Sequence, residues 1–267
     1  MNNSSISPPL AFITGASSGL GALFAKELAR LDYSLILTAR RKERMEALAA
    51  EIQDQHPVPI EIIPADLSLE EDQTRLEQRV LELENLELLI NNAGFGTVGK
   101  FARLDPDRPR QMVDVHLMAT VRLSRAALPG MVARHHGAII NVASMAAFFP
   151  LPGGAVYCAT KAALVAFSQT LAFELRGSGV KVQALCPGFI YTGFHETPEY
   201  ERTGRSRIPR IMWGRAEPVI TDSLNALKTG KVIVLTGTLN KTLTFFGRNA
   251  IFSPFVKIVI RMFFSPK

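Results

Sequence analysis

Seven short apolar runs recur along the chain, and most are followed by a longer stretch with the spacing of an amphipathic helix. The runs are Leu10–Thr14, Ser34–Thr38, Pro59–Ile63, Leu86–Ile90, Ala138–Val142, Val180–Cys186 and Lys231–Thr236. Segments such as SLILT and VIVLT are apolar almost without a break, whereas a strand with one wet face alternates apolar and polar residues. Strands of this kind are covered on both sides. Their alternation with helices predicts an α/β fold, a doubly wound seven-stranded parallel sheet with helices on both faces. Right-handed crossovers arrange the first six strands most simply as two βαβαβ halves, with a crevice at the carboxyl ends where a ligand would bind.

No internal repeat, low-complexity tract or linker divides the 267 residues, so they read as a single domain. Within it, 9–192 form a core, 193–215 a polar and basic lid, and 239–267 a basic apolar extension. With 47% hydrophobic and 20% charged residues, the composition is that of a globular chain with a large core. The net charge of +6 conceals an asymmetry: residues 1–201 sum to −4 and residues 202–267 to +10. That local basic character points to an anionic substrate, surface or membrane face, and no nucleic-acid motif accompanies it. Cys158 and Cys186 have no metal-ligand spacing to each other or to the histidines, so neither a disulfide framework nor a metal site is expected. Residues 1–9 lack the charged and apolar regions of a signal peptide, and a cytoplasmic location is expected.

The first strand runs into Thr14-Gly15-Ala16-Ser17-Ser18-Gly19-Leu20-Gly21 and then into a helical run, Ala22–Arg30. Strand, glycine turn and helix in that order form the Rossmann-type dinucleotide fingerprint. One glycine takes the tight turn, one admits a pyrophosphate to the backbone, and one allows close packing, while the helix amides face the phosphates. After the second strand a NAD site would carry an acidic residue for the ribose 2′-hydroxyl. Here the sequence is Ala39-Arg40-Arg41, and guanidiniums suit the 2′-phosphate of NADP(H). Asp66-Leu67 follows the third strand. Asp66 either receives the adenine amino group or caps the next helix.

Further on stand Asn91-Asn92-Ala93-Gly94, Ser144, Tyr157-Cys158-Ala159-Thr160-Lys161, and Pro187-Gly188 with Ile190 and Thr192. In this order, from Thr14 to Thr192, the set resembles the single-domain branch of the short-chain dehydrogenase/reductase family. The resemblance implies NADP(H)-dependent hydride transfer between nicotinamide and a small-molecule carbonyl or alcohol, with Ser144, Tyr157 and Lys161 catalytic. It implies cofactor contacts from Gly15, Ser17, Ser18, Gly19, Leu20, Gly21, Arg40, Arg41, Asp66, Leu67, Asn92, Ala93, Gly94, Tyr157, Lys161, Pro187, Gly188, Ile190 and Thr192, and a homo-oligomer. The residues support it independently. Tyr157 and Lys161 are four apart and share a helix face. A phenol of ordinary pKa near ~10 needs a neighbouring cation to exchange its proton near neutrality.

One position departs from the family pattern. Val115-His116-Leu117 lies on a helix beginning near Asp105, where the family carries an asparagine that holds a relay water. His116 either takes over that relay, titrating near neutrality, or is a satisfied core histidine and the relay is lost. The relay's loss would leave an NADP(H)-binding regulatory or scaffold protein as the alternative to an enzyme. Cys158 is expected to turn its thiol into the core.

Phe148, Phe149, Leu151, Phe189, Phe194, Met212 and Trp213 fall near the expected crevice mouth and favour an apolar substrate. Arg202, Arg205, Arg207 and Arg210 form a basic loop beside them. The run Phe255–Phe264 is too short and too charged to cross a bilayer. As a helix it would pack on protein or lie peripherally at a membrane interface, and its place directly after the last strand favours packing.

Overall fold

The computed structural model describes residues 8–97, 99–149, 151–191 and 210–248. Strands β1 (Leu10–Thr14), β2 (Ser34–Ala39), β3 (Ile60–Pro64), β4 (Leu86–Asn91), β5 (Gly137–Val142) and β6 (Val180–Cys186) fall within about a residue of their expected bounds. The pairs β7 (Phe189–Ile190) and β8 (Trp213–Gly214) form a separate two-stranded ribbon, and β9 (Ile233–Leu235) closes the main sheet. The seven-stranded order is β3-β2-β1-β4-β5-β6-β9, with every pairing parallel. The order reverses between β1 and β4, which places the crevice at their carboxyl ends.

Strand periodicity sorts the core into two layers. Ala11, Ile13, Leu35, Leu37, Ile90 and Ile140 point to one face, where α1 (Gly19–Arg30), α2 (Lys42–Gln55) and α7 (Glu217–Lys228) supply Phe24, Leu28, Met45, Ile52, Val219 and Ile220. Leu10, Phe12, Ile36, Leu89 and Ile139 point to the other. There α3 (Glu70–Leu81) and α5 (Ala119–Ala133) bring Leu76, Val80, Leu123 and Met131. Burial on both faces is the physical reason for the uninterrupted apolar strands.

The helix expected near Asp105 begins at Asp107, because the Asp105 carboxylate accepts from the Asp107 amide (3.0 Å) and sets the first turn. It is not one regular helix. After α4 (Asp107–Val113) the backbone makes a π turn over Asp114–Met118 before α5, and this turn carries His116 inward.

Helix α6 (Ala155–Glu174) is long and apolar enough to cross a membrane by length and composition. Its Thr160, Lys161, Leu164, Val165, Ser168 and Leu171 are buried, with Leu164 and Val165 packed against Ala143, Ala184 and Cys186. A buried polar ladder sets its depth. Asn91 and Asn141 are register partners on β4 and β5. Asn91 Nδ2 donates to Asn141 Oδ1 (2.9 Å), and Asn141 Nδ2 donates to Ser168 Oγ on α6 (2.9 Å). Replacing Asn141 by Ala strands an amide and opens a void, so Asn141→Ala should destabilise by about 2–4 kcal/mol. Urea unfolding at constant m-value measures it, and a loss under about 0.5 kcal/mol, the range of surface changes, would show the ladder to be incidental.

Candidate active site

A cavity of about 380 Å³ opens along the carboxyl ends of β1 to β6. It is lined by Gly15, Ser17, Ser18, Gly19 and Leu20 after β1, Arg40 and Arg41 after β2, and Asp66 and Leu67 after β3. Asn92, Ala93 and Gly94 follow β4, Ser144 follows β5, Tyr157 and Lys161 come from α6, and Pro187, Gly188 and Ile190 follow β6. Gly21 and His116 do not line it, and Thr192 lies outside the described residues.

The glycine turn is held from beneath. Gly15 (φ 67°) and Gly19 (φ 60°) adopt backbone that side chains resist. A Cβ on Gly15 would also lie 2.8 Å from Ala93 Cα, and one on Gly21 would lie 2.4 Å from the Gly15 carbonyl. Asn92 Nδ2 donates to the carbonyls of Thr14 (2.9 Å) and Gly15 (3.2 Å), while Thr14 Oγ1 accepts from the amides of Asn92 (2.9 Å) and Ala93 (3.0 Å). The ends of β1 and β4 are thus clamped together, and the Asn92 amide group serves the turn.

Three guanidiniums gather at the end of β2. Arg41 donates to the hydroxyls of Ser17 (3.0 Å) and Ser18 (2.9 Å), and burial together with the charges of Arg44 and Arg40 holds it below its ordinary pKa. Arg40 is mostly exposed and faces Asp66 Oδ2 at a loose 3.9 Å. Asp66 does not cap α3. Its Oδ1 accepts from Ser68 N (3.0 Å) and Oγ (2.8 Å) in a local turn, and Leu69 takes the cap position. A helix N-terminus, a glycine cradle and a surplus of cations make this end a fit for a pyrophosphate with a further phosphate.

At the other end, Lys161 is buried and its Nζ donates to the Val142 carbonyl (2.7 Å) while lying 5.8 Å from the Tyr157 ring centre. Burial pulls the ammonium down to about 8. Tyr157 is pushed up to about 12 by burial, with a hydrogen bond to Ser144 acting the other way. Ser144 starts the turn Met145–Ala147, and its Oγ also accepts from the Ala146 amide (3.1 Å). A phenol that keeps its proton, a buried cation and a hydroxyl thus share one wall.

His116 is buried behind Gly94: Nε2 accepts from the Phe95 amide (3.0 Å) and Nδ1 contacts Thr160 Oγ1 (3.0 Å). Burial and the Lys161 charge hold its pKa well below the ordinary value, correcting the expectation of a histidine that titrates near neutrality. Cys158 is half-buried rather than in the core, and Cys186 is the fully buried thiol. Of the apolar residues expected at the mouth, Leu151 and Phe189 line the cavity, while Phe148 and Phe149 pack with Met145 and Phe189. Trp213 returns to the rim through the β7–β8 ribbon and stacks on Tyr191 (4.9 Å). Phe194, Arg202, Arg205 and Arg207 lie outside the described residues, as does the run 255–264; Arg210 is exposed. The Val142 carbonyl, Thr160, Phe95 and the lining residues Arg108 and Gln111 were not foreseen. Thr160, three residues after Tyr157, had a readable helical spacing.

Residues 9–202 match the family model for short chain dehydrogenases. The chain belongs to the short-chain dehydrogenase/reductase family of oxidoreductases. It is 30% identical over 216 residues to the 3-oxoacyl-(acyl-carrier-protein) reductase of Rickettsia bellii, covering 80% of this chain and 87% of that one. Among solved structures it resembles a short-chain dehydrogenase from Sphingobium yanoikuyae in complex with NADPH, with 33% identity and a TM-score of 0.78 over 85% of this chain and 87% of that one. It also resembles the bulky-bulky ketone specific alcohol dehydrogenase from Comamonas testosteroni, with 29% identity and a TM-score of 0.77 over 92% and 94% of the two chains.

The turn geometry sets an expected outcome. Gly21→Ala forces its methyl into the Gly15 carbonyl, an overpacking that costs about 1–3 kcal/mol. Carried into the bound cradle, that weakens nicotinamide dinucleotide affinity roughly ten- to hundredfold. Calorimetric titration checks it, and unchanged affinity would show that the turn does not hold the dinucleotide.

Proposed function

We propose that this oxidoreductase uses NADP(H) to interconvert an apolar carbonyl compound and its alcohol, with Tyr157, Lys161 and Ser144 as its catalytic residues. The observation that carries the reading is the convergence of a protonated phenol, a buried ammonium and a serine hydroxyl at one end of the cavity whose other end is the glycine cradle. When bound, the nicotinamide supplies hydride to a carbonyl carbon or takes it from an alcohol. Tyr157 Oη gives its proton to the carbonyl oxygen, and the Lys161 charge stabilises the phenolate left behind. Ser144 donates to the same oxygen as charge develops on it.

NADP(H) is preferred over NAD(H) on the chemistry at the end of β2. Ala39 stands where an acidic acceptor would, and Arg40 and Arg41 line the cavity beside it. The similarity to a protein solved with NADPH supports this choice. The apolar lining from Met145, Leu151, Val115 and Phe189 supports a hydrophobic substrate. Relatives named for 3-oxoacyl groups and for bulky ketones point the same way.

Because Tyr157 donates a proton, Tyr157→Phe should abolish turnover while NADPH still binds, a loss of at least two orders of magnitude in kcat. NADPH absorbance with the carbonyl substrate gives the rate and fluorescence titration gives the binding; near-wild-type turnover would refute the assignment. The pH dependence follows from Lys161. Its pKa is depressed to about 8, so its charge is present below that pH and lost above it. Reductive kcat/KM should therefore hold below about pH 8 and fall above it, and a profile flat to pH 10 would contradict the role given to the ammonium. For cofactor choice, Ala39→Asp with Arg40→Leu should move preference toward NADH by repelling the 2′-phosphate. Affinities for both cofactors measure this, and an unchanged ratio would place phosphate recognition elsewhere.

A further inference from the structure

The His116 ring is buried, ionisable and absent from the proton transfer described above. Its hydrogen bonds assign its protons without ambiguity. Phe95 N–H can only donate, so His116 Nε2 is an acceptor and carries no hydrogen (3.0 Å). Thr160 Oγ1 gives its single proton to the Tyr157 carbonyl (2.9 Å), so it accepts from His116 Nδ1–H (3.0 Å). The result is one directed chain from the Phe95 amide through an imidazole and a hydroxyl to the backbone of Tyr157. Both ring nitrogens are engaged, which leaves no valence for a relay water. The ring also meets the Phe95 ring (5.7 Å, 68°) and the Tyr157 ring (5.8 Å, 80°) at T-shaped angles, and the His116 carbonyl accepts from Thr120 Oγ1 (2.8 Å). Three elements are thereby joined: the loop after β4 that lines the cavity, the π turn before α5, and the first turns of α6.

We propose that His116 and Thr160 form a proton-silent strap that positions Tyr157 against the Ala93–Phe95 loop, and that this strap, not proton relay, is the contribution of His116 to turnover. The proposal rests on the reading of Tyr157 as proton donor. Three groups bear on the ring. Lys161, on α6, is the charged one and opposes a second proton. Tyr157, on the same helix, and Phe95, on the loop, bring rings. The imidazole therefore stays neutral through the working pH range, while the strap fixes how far Tyr157 Oη reaches over a substrate held along the loop.

The test separates positioning from packing and from relay. In the wild-type holoprotein with NADPH, nitrogen NMR of labelled histidine should show the His116 ring in a single tautomer, protonated at Nδ1 alone, from about pH 5 to pH 8. Thr160→Val keeps the shape but removes the hydroxyl. It should lower kcat roughly ten- to hundredfold at nearly unchanged NADPH affinity, the scale expected for a misplaced catalytic group. Thr160→Ser, which restores the hydroxyl, should recover most of that loss. An imidazole that gains a second proton in this range, with a matching kcat inflection, would overturn the proposal in favour of relay. Wild-type kcat in Thr160→Val with only a lowered Tm would overturn it in favour of packing. The NMR measurement needs no substrate, so absence of turnover in the wild type would count against the Tyr157 reading, and an imidazole that gained a second proton would still overturn the proton-silent assignment.

Discussion

The site depends on keeping an almost wholly buried ammonium in place at the cavity wall. Lys161 is buried on the inner face of α6, and its Nζ is held by the Val142 carbonyl at the end of β5. Isolated, such a charge would shed its proton. Burial does pull the pKa down to about 8, and the carbonyl is the contact that holds the side chain in place. That balance leaves a cation close to the Tyr157 ring yet hidden from solvent. It also explains the polar ladder beneath. Asn91, Asn141 and Ser168 fix the depth of α6 against β4 and β5, so the Lys161 ammonium meets the Val142 carbonyl.

The same economy of backbone contacts governs the other end. The glycine turn is shaped by two side chains, Thr14 and Asn92, that bind it to the end of β4. The sheet-order reversal between β1 and β4 puts these two loops side by side. A glycine cradle at one end and the Tyr157 phenol at the other then follow from topology, since both sit at the carboxyl ends of one sheet.

Much of this was legible in the sequence, because strands buried on both faces and a glycine turn between strand and helix leave strong local signatures. The spacing of Tyr157 and Lys161 carried their shared face, and Ala39-Arg40-Arg41 carried the charge at the end of β2. What sequence could not carry was anything supplied by backbone or by distant pairing. The carbonyl of Val142 has no residue signature. The contacts of Trp213 with Phe189 and Tyr191 join segments more than twenty residues apart. For Asp66 the sequence allows an adenine contact or a helix cap; Leu69 takes the cap, and the Asp66 carboxylate closes a local turn with Ser68 at the cavity wall. His116 was ambiguous because an inward histidine can serve a relay or fill its own valences. Its bonds to Phe95 and Thr160 become visible only when the π turn aims it.

The central claim is that this cavity couples NADPH oxidation to protonation of an apolar carbonyl. Single-turnover mixing of the protein with NADPH and a series of bulky ketones and 3-oxoacyl thioesters tests it most directly. NADPH should be consumed in equal amount to the alcohol formed, more slowly when the transferred hydrogen is deuterium, and in preference to NADH. Tight NADPH binding with no alcohol formed from either class, or equal use of NADH, would contradict it.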